Sequence, residues 1–91
     1  MSERRVSVTS PDGLHARPAA LFVRAAAEFG VEIRISKVTT GTSADARSIL
    51  AVLGLDVRHG DDVVLTADGD DADAALDRLV ALLTEDADAA V

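Results

Sequence analysis

The sequence predicts an α+β fold, a four-stranded antiparallel sheet with three helices on one face, in the order βαββαβα. Three observations lead there. Short segments alternate apolar and polar residues, as half-buried strands do. Between them lie segments with apolar residues at helical spacing, bounded by glycine or proline. The chain has 91 residues and no cysteine, a size that suits one domain spanning 1–91 whose core is held by packing alone.

The elements follow in order. Arg4 to Thr9 alternates, with Val6 and Val8 on one face, and Ser10-Pro11-Asp12-Gly13 is a turn cluster. A first helix is expected from about Ala16 to Phe29. Pro18 sits in its first turn, where the missing N–H costs nothing, and Gly30 stops it. Its core residues are Ala19, Phe22, Ala26 and Phe29. Val31 to Lys37 alternates as a second strand. The turn at 39–43 leads to a short third strand. Arg47 to Leu53 reads as a short apolar helix closed by Gly54, and His59-Gly60-Asp61 as a surface turn. Asp62 to Ala67 is a fourth strand. A last helix over Ala72 to Leu83 carries an apolar stripe of Ala75, Leu76, Leu79, Leu82 and Leu83. The acidic tail, 85–91, is expected to fray.

Composition excludes several function classes. Without cysteine there is no thiol catalysis or iron–sulfur cluster, and the two histidines have no metal-ligand spacing around them, so neither metal nor cofactor is implied. The net charge of −7 argues against a nucleic-acid partner. No segment reads as a signal peptide or membrane span, which makes the cytoplasm the default location, with no membrane insertion. The charge is uneven: seven of the nine basic residues lie between Arg4 and Arg47, and eleven of the sixteen acidic ones lie from Asp56 onward.

The chemistry concentrates in Gly13-Leu14-His15-Ala16-Arg17-Pro18-Ala19. His15 follows a turn and precedes a helix. The first N–H groups of a helix have no internal partner, and with the helix dipole they form an anion site. A phosphoryl group on the imidazole would rest against the backbone N–H groups of Ala16 and Arg17, and the Arg17 side chain adds a fork of donors. The positive helix end disfavours the imidazolium and so favours a neutral, nucleophilic ring nitrogen. No second acid or base is near in sequence to activate water, apart from Asp12. From the residues alone two readings stand, a histidine that merely begins a helix and one that carries a phosphoryl group.

This run resembles the active-site signature of HPr, the histidine-containing phosphocarrier family of the phosphoenolpyruvate:sugar phosphotransferase system. Arg47-Ser48-Ile49-Leu50-Ala51-Val52-Leu53-Gly54-Leu55 resembles the same family's short second helix with its regulatory serine. The likeness covers residues 4 to 83. It implies an open-faced β-sandwich and a covalent phosphohistidine on His15, at Nδ1, stabilised by Arg17. It also implies a carrier rather than a stand-alone enzyme, with Enzyme I as donor, a sugar-specific Enzyme IIA domain as acceptor, and Ser48 as target of an HPr kinase in lineages that have one. The turn before the second helix is about two residues longer than in many relatives, and Asp12 stands where the family often has Ser or Asn. Other roles in the family stay open: a carrier or regulator for nitrogen control or for a dihydroxyacetone kinase system, or a regulatory partner acting through phospho-Ser48. A rival from another class is a small-molecule-binding α+β domain.

The partner surface can also be read. Arg17, Leu21 and Arg24 share the face of the first helix opposite the core. The second helix is apolar nearly all round. Val52 and Leu55 are expected to face the core, leaving Ile49, Leu50 and Leu53 exposed near Arg47. Exposed apolar residues ringed by arginines suit an acidic partner with an apolar centre, met by a monomer.

Overall fold

The structure is a computed structural model that describes residues 1–84. Its elements are β1 (Ser2–Ser7), α1 (Ala16–Glu28), β2 (Glu32–Lys37), β3 (Ser43–Asp45), α2 (Ile49–Gly54), β4 (Asp62–Asp68) and α3 (Ala72–Thr84). The strands form one antiparallel sheet in the order β1-β4-β2-β3. The fold is the open-faced α+β sandwich with three helices that the sequence predicts.

Alternation sets the register. Ile33 and Ile35 on β2 lie opposite Ala67 and Leu65 on β4, and all four are buried. Val6 on β1 lies opposite the buried Val63. Slipping either strand by one residue would turn these side chains to the wet face. Phe22, Leu76, Leu79 and Leu83 close the core from the helix side. Ala25 and Ala72 join them, although the sequence pattern had not singled them out. At the open edge of β1, Arg4 Nη2 reaches Asp73 (3.4 Å) and Asp77 (3.5 Å) on α3.

Three local readings change. β1 begins at Ser2 and ends at Ser7, because its pairing with β4 runs only to Ser7 opposite Asp62. Val8 is buried beyond it, and the Thr9 and Ser10 N–H groups donate to the Leu83 carbonyl at the end of α3. α2 begins at Ile49, not Arg47: Ser48 is its N-cap, and the Ser48 hydroxyl accepts from Ala51 N–H at 3.3 Å. Gly54 does not close α2 from outside. It is the helix's last residue, and the left-handed residue past the end is Asp56, at φ 53°. The tail expected to fray lies outside the described residues.

Candidate functional site

The site is built on the turn before α1. Gly13 N–H donates to the Ser10 carbonyl at 3.1 Å, and Gly13 takes φ +59°. Its α-carbon packs so closely on the Val57–Arg58 backbone that an added Cβ would lie 2.5 Å from the Val57 carbonyl oxygen. Leu14 is buried, and its N–H donates to that same oxygen at 2.9 Å. The next residue, His15, is the N-cap of α1, with an extended backbone (φ −120°, ψ 153°) and no capping hydrogen bond from its side chain. The ring is 42 % exposed. It stands in an open groove lined by Pro11, Asp12, His15, Asp56, Arg58 and His59.

Three of those residues are far along the chain and went unread as site residues in the sequence. Asp56 Oδ1 lies 3.3 Å from His15 Nε2. Arg58 holds the Asp56 carboxylate with two donors, Nε at 3.2 Å and Nη2 at 3.0 Å. That hydrogen bond is the main reason the Asp56 carboxyl is held below the usual carboxylate range, with the charges of Arg58, Lys37 and His15 acting the same way. His59 occupies the expected surface turn and lines the groove, and its Nδ1 lies 3.4 Å from the Ser10 carbonyl. The signal available in the sequence was weak: a carboxylate and an arginine two residues apart after a short helix. Asp12 does line the groove with His15.

Arg17 and Arg24 are exposed on α1 and make no ion pair among the described residues. Leu21 is 46 % exposed between them, and α1 packs against α2. On α2, Val52 is buried and Leu55, just beyond, is buried too. Ile49 and Leu53 are exposed, and Leu50 is 80 % exposed. Arg47 is exposed but not free. Its Nε and Nη2 both donate to Asp45 at 3.2 Å, which lowers the Asp45 carboxyl and leaves a nearly neutral pair beside the apolar patch. Among the described residues there is no group of acidic and histidine side chains able to hold a metal ion, and no helix long and apolar enough to cross a membrane.

Comparison with known proteins places the chain in a family. Residues 2–85 match the family model for the PTS HPr component phosphorylation site. The chain is 51 % identical over 85 residues to the phosphocarrier protein HPr of Streptomyces coelicolor, covering 93 % of this chain and 90 % of that one. It is 46 % identical over 82 residues to the HPr of Haloferax volcanii, covering 90 % and 92 %. A crystal structure of HPr from Bacillus anthracis superposes with a TM-score of 0.86 at 39 % identity, over 90 % of this chain and 95 % of that one. The chain belongs to the HPr family of phosphocarrier proteins of the phosphotransferase system.

Proposed function

We propose that His15 takes a phosphoryl group from phospho-Enzyme I, ultimately from phosphoenolpyruvate, and passes it to a sugar-specific Enzyme IIA domain, in the cytoplasm and as a monomer. The observation that carries this reading is the half-exposed His15 ring at the N-cap of α1, with no capping bond to give up before it reacts. In the forward step the Nδ1 lone pair bonds to phosphorus, and the donor's bond to phosphorus breaks with its electron pair returning to the donor. The product dianion rests against the free N–H groups of residues 16 and 17, at the positive end of the helix. Arg17 swings over it as a forked donor. Arg58 holds the Asp56 carboxylate beside the far ring nitrogen, Nε2, rather than beside the P–N bond, which suits a group that is to be passed on.

In this reading Leu21, Arg24, Ile49, Leu50 and Leu53 form the docking face, because a partner taking phosphate from His15 must cover the exposed side of α1 and its neighbour α2. Arg47 contributes at its rim as a pair with Asp45 rather than as a free cation. Ser48 is a regulatory site on the same face: a phosphate there, added by an HPr kinase, would place nearly two negative charges beside Leu50 and repel an acidic partner. The test is direct. Incubate the protein with phosphoenolpyruvate and Enzyme I and measure intact mass; wild type gains one phosphoryl group and His15→Ala gains none while keeping its circular dichroism. A His15→Ala protein that is still phosphorylated overturns the assignment.

A further inference from the structure

Asp56 joins two observations that the helix start does not explain. It is the one non-glycine residue with positive φ among the described residues. A residue with a Cβ is disfavoured there, and such conformations persist only where the surroundings hold them. The surroundings here are specific. Arg58 grips its carboxylate with two donors, Lys37 Nζ donates to its carbonyl at 2.9 Å, and the next residue, Val57, is buried and accepts from Leu14 N–H. The segment is thus tied to the residue just before His15. The result is a carboxylate oxygen 3.3 Å from His15 Nε2. Asp12, Arg58 and His59 are the other charged or titratable groups lining that groove.

We propose that Asp56 is a positioning residue for His15: its carboxylate keeps the ring proton on Nε2 and leaves the lone pair on Nδ1, while Arg58 holds the carboxylate in place. This rests on the reading of His15 as the phosphoryl acceptor. A neutral imidazole has two tautomers, and which one prevails is set by what the ring nitrogens meet. A carboxylate beside Nε2 favours the N–H there. The same contact serves the phosphorylated ring, which is cationic when Nδ1 bears phosphorus and Nε2 a proton. On release the acceptor's lone pair attacks phosphorus, the P–Nδ1 bond breaks, and its electron pair returns to Nδ1. The proton stays on Nε2, so the leaving group is neutral imidazole rather than an imidazolate. Carboxylate and phosphoryl group lie on opposite edges of the ring, which keeps the two anions apart.

The experiment reads the ring nitrogens of unphosphorylated protein by 15N NMR, at a pH where the ring is neutral. Glycine adopts φ 53° without strain, so Asp56→Gly removes the carboxylate and spares the fold; Asp56→Asn keeps the shape without the charge. The Nε2–H form should dominate in wild type, and its ratio to the Nδ1–H form should fall about two- to fivefold in Asp56→Gly, as for a partly exposed ion pair, with Asp56→Asn between. Release of the phosphoryl group to an acceptor should slow by a similar factor. An unchanged tautomer ratio in Asp56→Gly, with its backbone amide spectrum intact, overturns the proposal; so does a shifted ratio with wild-type transfer. Should the wild type accept no phosphoryl group, the proposed function fails, and the tautomer ratio still judges the contact between Asp56 and His15.

Discussion

Gly13→Ala would press a methyl group into the backbone that carries Asp56 and Arg58. The added Cβ falls 2.5 Å from the Val57 carbonyl oxygen, 2.7 Å from Arg58 Cα and 3.0 Å from Arg58 C. These are backbone atoms, so none can swing aside as a side chain would. Gly13 also sits at φ +59°, where an L-residue costs about 1–2 kcal/mol. Gly41 provides the control: it has φ +71°, and nothing lies within 4 Å of its added Cβ. Gly41→Ala therefore bears only the conformational cost, about 1–2 kcal/mol. Gly13→Ala adds overpacking, about 1–3 kcal/mol more, for a total of about 2–5 kcal/mol. In a domain of this size 1 kcal/mol lowers Tm by about 4–8 °C. Thermal unfolding followed by far-ultraviolet circular dichroism reads this, since the chain has no Trp or Tyr to report by fluorescence. Gly13→Ala should lose about 4–24 °C more Tm than Gly41→Ala loses, the part set by the overpacking. It should also disturb the His15 ring, because relief of the clash parts Leu14 N–H from the Val57 carbonyl. Equal losses in the two variants would refute the claim that this close approach holds the site together.

The other predictions are smaller in scope. Arg17→Ala should slow phosphoryl transfer by about one to two decades, the effect of losing a charge-assisted contact of about 1.5–3 kcal/mol made in the transition state, with Arg17→Lys restoring part; transfer kinetics equal to wild type would remove Arg17 from the mechanism. Leu50→Glu, at an 80 % exposed position, should change stability by less than about 0.5 kcal/mol yet weaken transfer from Enzyme I, and a large fall in Tm would show instead that Leu50 supports the core. Asp45, Asp56 and Asp62 are held below the usual carboxylate range chiefly by hydrogen bonds from Arg47, Arg58 and Ser7 respectively. A carboxyl lowered on folding lends stability that is complete above its unfolded value and is lost as pH falls through the folded one. Tm should therefore hold steady from neutral pH to about 5 and drop below about pH 4, and a Tm that rises on acidification below about pH 4 would contradict these contacts.

The sequence by itself determined the features that depend on neighbours along the chain. Period-two alternation marked Ile33 and Ile35 as buried on β2, and helical spacing separated the buried Ala19 and Phe22 from the exposed Leu21 and Arg24 on α1. A turn followed by Pro18 put His15 at a helix start, and an excess of apolar residues on a short helix exposed Leu50. These are local effects of backbone geometry and burial, so a single chain segment suffices to read them. Helix ends were less legible, since a cap depends on one hydroxyl: Ser48 took the N-cap of α2, which moved the start to Ile49, and the left-handed turn fell to Asp56 instead of Gly54. Only the tertiary structure decided what stands opposite His15. The sheet order β1-β4-β2-β3 and the bond from Leu14 N–H to the Val57 carbonyl bring the segment after α2 back against the first turn, and with it Asp56, Arg58 and His59. That meeting depends on closing a long loop, which the core stabilises and no local pattern encodes, so the charge beside the histidine belongs to the fold and not to the motif.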